Sequence, residues 1–266
     1  MNRTYIEPIK SMSEVKTYIG EIISAYNNED VLCFFDIDET ILEPVTLAAQ
    51  LHNILKHKDI FLELKLKYSG FYPTVHGTCL LLDDHKVLDN DVFDVFNLLN
   101  DKKIQNLAFT ATPNMILDGQ NLKEVRFKQL EENNVNFENN FSEKEFIFDN
   151  LNLCHGHPIL YRGIIFSNGD DVFNNKGLVL NEFLCRTNAN KKCIIFIDDN
   201  IHNLIDINQT LAVNHPEIDF YGIYFLGAHY SQNPGVSKEE FRNLWEDYFL
   251  RESYSCEKIK RKIFNM

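Results

Sequence analysis

The sequence predicts an α/β fold, a doubly wound parallel sheet with a small cap-like insertion after its first strand. Two observations lead there. Short apolar runs of strand length alternate along the chain with segments of helical period. Three of those runs also stop abruptly at acids or a hydroxyl, and the carboxyl ends of parallel strands are where open α/β sheets place their ligands.

The elements follow in order. Residues 13–26 carry Val15, Ile19, Ile22 and Ile23 at helical spacing, with Ser13 as the expected N-cap. Val31 to Phe35 is apolar throughout and reads as the first strand, covered on both faces. Residues 43–90 read as an insertion. It holds a helical stretch (46–67), an aromatic turn (Tyr68 to Pro73) and a hairpin of 78–82 with 86–88 around Asp83-Asp84. A helix over 91–100 places Val92, Val95, Phe96 and Leu99 on one face, and a second strand, 104–109, ends at Thr110. A helix over 121–133, a loop over 133–152 and a strand over 159–166 come next. A helix over 177–187 opens after Lys176-Gly177, and the third strongly apolar strand, 193–197, ends at Asp198-Asp199. A helix (201–211), a strand (219–226) and an amphipathic helix (238–250) complete one domain spanning 1–266. Residues 251–266 form a basic tail suited to touching an acidic surface.

Composition narrows the partners. Of 266 residues 44% are hydrophobic, enough for a substantial core. Lys plus Arg number 26 against 39 Asp plus Glu, a net charge of −13 that disfavours nucleic acid and repels phosphorylated ligands at long range. A phosphate site in such a chain needs local positive charge or a divalent metal. Cys33, Cys79, Cys154, Cys185, Cys193 and Cys256 show no metal-ligand spacing, as expected of a reducing compartment. No stretch has the length and apolarity of a membrane span. The expected location is the cytoplasm, and export without a Sec signal into another cell's cytosol would leave the same composition.

Asp36 and Asp38 sit two residues apart just after the first strand, so in extended chain their side chains leave on one side. Paired acids call for a cation, a shared proton or a substrate. In a parallel sheet they converge with Thr110 and Asp198/Asp199, and Lys176 stands at the start of the helix before the third strand. A nucleophilic carboxylate, a hydroxyl, an ammonium and further acids are the requirements of phosphoryl transfer through an aspartyl-phosphate. Thr112 competes with Thr110, Lys191 and Lys192 with Lys176, and Asn203 either orients Asp199 or is helix surface.

With these four motifs the chain resembles the haloacid dehalogenase-like (HAD) phosphohydrolase superfamily over about residues 30–230. Asp36-Ile37-Asp38-Glu39-Thr40 matches the first motif, Thr110 the second, Lys176 the third and Asp198-Asp199 the fourth. The resemblance implies a Rossmann-like core, with Asp36 as nucleophile and Asp38 as general acid and base. It implies Thr110 and Lys176 on the phosphoryl oxygens, and Mg2+ held by Asp36, Asp38 (through its carbonyl), Asp198 and Asp199. It implies a phosphomonoester hydrolase acting on a phosphoprotein such as a phosphotyrosine protein, or on a small sugar or nucleotide phosphate. A non-catalytic binding or effector protein on the same fold is the alternative. The chain also resembles an uncharacterised HAD-like group of intracellular bacteria, which implies a secreted effector. Tyr68, Phe71 and Tyr72 either stack on an aryl phosphate or pack the insertion's own core. His52, His57, His76 and His85 are expected mostly at the surface, with His76 a possible substrate contact.

Overall fold

The computed structural model describes residues 4–68, 79–153, 156–169 and 175–264, with side chains to residue 251. Its strands are β1 (Thr4–Ile9), β2 (Val31–Phe35), β3 (Leu42–Pro44), β4 (His85–Val87), β5 (Gln105–Thr110), β6 (Ile116–Leu117), β7 (Gln120–Asn121), β8 (Glu145–Ile147), β9 (Ile159–Tyr161), β10 (Ile164–Phe166), β11 (Cys193–Asp198) and β12 (Asp219–Phe225). Its helices are α1 (Met12–Ile23), α2 (Leu51–Lys56), α3 (Lys58–Lys67), α4 (Val92–Asp101), α5 (Leu122–Glu132), α6 (Lys176–Thr187), α7 (Ile201–Asn214) and α8 (Lys238–Phe264).

A mixed α/β architecture results. Eight strands form one sheet in the order β1-β12-β11-β2-β5-β10-β9-β8. The first six are mutually parallel, and β9 and β8 are added antiparallel at one edge. The two most apolar strands, β2 and β11, lie side by side near the middle, buried at every residue. Alternation divides them between two cores. Cys33, Phe35, Ile195 and Ile197 face a layer containing Val15 and Ile19 of α1, Val95 and Leu99 of α4 and Leu130 of α5. Leu32, Phe34, Ile194 and Phe196 face Val179 and Phe183 of α6 and Leu204 and Ile207 of α7. Helices therefore cover both faces, and the strand ends are left to build a site.

A third core lies apart from the sheet. Ala48, Ala49, Ile60 and Leu64 pack against Phe241, Trp245, Tyr248 and Phe249 of α8. Trp245 Nε1 donates to the Ala48 carbonyl at 3.0 Å, and Arg242 forks onto both carboxylate oxygens of Glu63 at 2.7 and 2.8 Å. The last helix thus seats itself on the region the sequence reads as an insertion.

Several expectations are corrected. The first strand is β1, not 31–35. Its Pro8 lacks an amide hydrogen and is tolerated because β1 is an edge strand. Helix α1 begins at Met12 and is capped by Ser11, whose hydroxyl accepts from the Glu14 amide at 3.3 Å, rather than by Ser13. The stretch 46–67 is broken at His57 into α2 and α3. Residues 79–82 are helical, not a strand, and β4 pairs instead with β3. The expected loop 133–152 contains β8. The run 159–166 is two strands, β9 and β10, because Arg162 (φ 49) and Gly163 (φ 80) form the left-handed two-residue turn of a hairpin. A Cβ on Gly163 would collide with the Phe137 backbone, so only glycine fits there. The last helix continues to Phe264. No helix among the described residues is long and apolar enough to cross a membrane.

Candidate functional site

Strand register gathers the acids. Ile197 of β11 lies opposite Phe35 of β2, so the next residues, Asp198 and Asp36, sit at one level on adjacent strands. The Asp36 amide donates to the Ile197 carbonyl at 2.8 Å, which fixes that level. One oxygen each from Asp36, Asp198 and Asp199 lies within 4.8 Å of the others, a cluster able to hold a metal ion. Phe35 faces Ala108, so Thr110 ends β5 two residues further along, level with the loop that follows β2. That loop closes tightly. The Ile41 and Leu42 amides both donate to the Ile37 carbonyl at 2.9 Å, and Glu39 turns through a left-handed φ of 58°. Asp38 is carried on this loop with its side chain 47% exposed.

Lys176 is the first residue of α6 and is buried. Its ammonium lies 2.8 Å from Asp36 Oδ1 and 2.7 Å from Asp198 Oδ2. Gly177 makes that reach possible. A Cβ there would strike Thr210 and lie 2.7 Å from the Asp206 carbonyl, while its amide donates to Asp206 Oδ2 at 2.6 Å. The bare backbone lets α6 press onto α7 and drives the lysine under the acids.

The electrostatics follow from burial. Desolvation raises the Asp36 carboxyl above its ordinary value. Lys176 opposes that rise, and Asp198 and Asp38 add to it. Burial likewise raises Asp199, with Asp198 and Asp36 reinforcing it. Burial would lower the Lys176 ammonium, but Asp198 and Asp36 beside it hold it above its ordinary value. Asp198 is the most committed of the acids. Its Oδ1 accepts from the Asn200 amide at 2.9 Å, and the Asn203 amide group donates to both its oxygens at 2.9 and 3.0 Å. With Lys176 on Oδ2, its lone pairs are largely occupied.

Residues 8–252 match a family model described as "Protein of unknown function (DUF2608)". The chain belongs to the DUF2608 family. No curated protein matches it.

In this DUF2608 protein Asp36, Asp38, Thr110, Lys176, Asp198 and Asp199 all stand at one end of the parallel strands. The Thr110 hydroxyl bonds Thr112 Oγ1 at 2.9 Å, accepts from the Thr112 amide at 3.0 Å and lies 3.5 Å from Asp38 Oδ2. It therefore both closes a turn and faces the site. Lys191 and Lys192 are at the opposite end, where their ammonium groups bond the Glu29 carbonyl and Asp30. Asn203 orients Asp198, not Asp199. His57 is buried rather than at the surface, its Nε2 3.0 Å from the Val236 carbonyl. Tyr68 stacks on Phe249 with ring centroids 5.5 Å apart, packing the third core. Phe71, Tyr72 and His76 lie outside the described residues.

One residue of the site escapes sequence reasoning. Arg126 of α5 is 2% exposed and pairs through Nη2 with Asp38 Oδ1. Burial, with the Arg126 charge beside it, pushes the nearby His85 imidazole down to about 4, so it is neutral at ordinary pH. In the sequence Arg126 looks like any exposed helical arginine, because nothing local marks it as buried alongside Leu122, Phe127 and Leu130.

Proposed function

We propose that this protein is a Mg2+-dependent phosphomonoester hydrolase of HAD type, working through a phosphorylated Asp36. The observation that supports this reading most is the Asp36–Lys176–Asp198 bridge at the end of two adjacent parallel strands. Like charges are brought together there at a cost in desolvation that a bound dianion and cation would repay.

The donor set fits a hard divalent cation, since all three clustered acids offer oxygen. Asp36, Asp198 and Asp199 would hold it, with Asp36 and Asp199 having more unshared lone pairs than Asp198. When bound, Mg2+ supplies positive charge to the phosphoryl oxygens.

The chain's own groups do the rest. The free oxygen of Asp36 attacks phosphorus, and the ester P–O bond breaks. Asp38, whose side chain is half exposed, gives a proton to the leaving oxygen and later takes one from the water that attacks the acyl phosphate. That second attack breaks the bond between Asp36 and phosphorus and releases inorganic phosphate. Lys176 restrains Asp36 and neutralises charge around it, and Thr110 offers a hydroxyl to a phosphoryl oxygen. The 43–90 region acts as a cap that selects substrate.

The test is turnover of p-nitrophenyl phosphate with Mg2+. The expected result is hydrolysis that EDTA stops and that is absent in Asp36→Asn. A wild-type protein that binds Mg2+ yet hydrolyses none of a panel of phosphopeptides, sugar phosphates and nucleotides would overturn the proposal in favour of a binding protein.

A further inference from the structure

Arg126 has more donors than its surroundings use. Its guanidinium carries five N–H bonds in a planar fork. Nη2 is engaged by one oxygen of Asp38, while Nε and Nη1 are buried and have no hydrogen-bond partner. His85 beside it is neutral and brings no negative charge. Asp38, by contrast, is half exposed and stands on a loop rather than within a strand. A rigid, buried cation with idle donors is thus covered by a carboxylate that solvent reaches.

We propose that Arg126 is a substrate-anion site, and that Asp38 occupies the place of a second anionic group carried on the substrate's leaving group. This rests on the hydrolase reading above, which puts Asp38 beside the leaving oxygen. Arg126 is therefore on the leaving-group side of phosphorus, away from Lys176. A carboxylate or second phosphate close to the ester oxygen takes two of the fork's donors in parallel, the geometry guanidinium suits best. Asp38 is thereby turned from the arginine towards the leaving oxygen. The substrate class is small phosphomonoesters bearing a second anion near the ester. Phosphate esters of uncharged alcohols or of exposed protein hydroxyls lack the group that Arg126 accepts.

The experiment uses non-hydrolysable probes and reads binding, so it is independent of turnover. Calorimetry in Mg2+ buffer compares methylphosphonate with phosphonoacetate and 3-phosphonopropionate, which add a carboxylate at two spacings. Wild-type protein is expected to bind at least one of the two carboxylated probes about tenfold or more tightly than methylphosphonate, roughly the value of one charge-assisted pair. Arg126→Ala should abolish that ratio. Arg126→Lys, which keeps the charge and loses the fork, should retain only part of it and serves as the test if the alanine variant does not fold. Absence of preference in the wild type, or an equal ratio in wild type and Arg126→Lys, overturns the proposal. Failure of the hydrolase reading appears separately, as absent turnover of every phosphomonoester with the binding ratio intact.

Discussion

Asp199 and Asp36 hold more protons in the folded chain than they would unfolded, because burial and neighbouring acids raise both. The metal-free fold is therefore penalised as pH rises above the unfolded carboxylate value of about 4. Asp199→Asn removes one of these charges. Its melting temperature without metal should exceed that of wild type by about 2–4 °C per kcal/mol relieved, and the gap should widen as pH climbs from about 4 towards neutrality. Calorimetric scans across pH check this. In the same scans Mg2+ should stabilise wild type and leave Asp199→Asn nearly unmoved. Asp38→Asn separates the other role: turnover of p-nitrophenyl phosphate should drop about 10²–10⁴-fold while the stabilisation by Mg2+ persists. Equal loss of both would mean that the Asp38 side chain works on the metal and not on the proton.

Gly177 links an element to the chemistry. Any side chain there meets Thr210 and Asp206, so α6 must tilt away from α7 and take Lys176 with it. Gly177→Val should cost about 1–3 kcal/mol by overpacking, read as a shift in the urea midpoint, and should reduce turnover beyond what that lost stability explains. Trp245→Ala acts elsewhere. It empties the third core and frees the Ala48 carbonyl, at an expected cost of about 3–5 kcal/mol that unseats α8 from α3. Elements were legible in the sequence where one signal dominated. The runs ending at Asp36 and Asp198 are fully apolar, the one ending at Thr110 is apolar over Leu107-Ala108-Phe109, and the structure makes each a central strand. Strand β1 was hidden because an edge strand needs no apolar run, and its residues are mostly exposed. Strands β9 and β10 merged into one because the two-residue turn at Arg162-Gly163 interrupts the apolar pattern so briefly. The partner of β4 is not legible in the sequence, because residues 80–82 are a strand-like run of leucines and nothing local tells a buried strand from a short helix. The acids of the site were readable from spacing alone. Arg126 was not, because its burial is decided by what α5 packs against.

At the scale of the molecule, the net charge of −13 opposes the approach of any phosphate ester. Salt screens that repulsion over a distance of about 8 Å at physiological ionic strength. The rate constant for capture of a dianionic substrate, kcat/KM, should therefore rise as KCl is added from low levels at fixed Mg2+. A chain whose site field outweighs its global field would show the opposite slope, so stopped-flow or initial-rate measurements across salt decide which wins.

The seating of α8 on α3 also sets a timetable for synthesis. Arg242 meets Glu63 across 179 residues of sequence, and Trp245 reaches Ala48 across 197. At about 5–20 residues per second, a ribosome needs about 10–40 s after making the first partner to deliver the second. Throughout that interval Ile60 and Leu64 emerge with nothing to cover them, an oily handle for chaperones on every nascent chain. The third core closes only when α8 arrives, so α3 lacks its apolar partner until that helix leaves the exit tunnel.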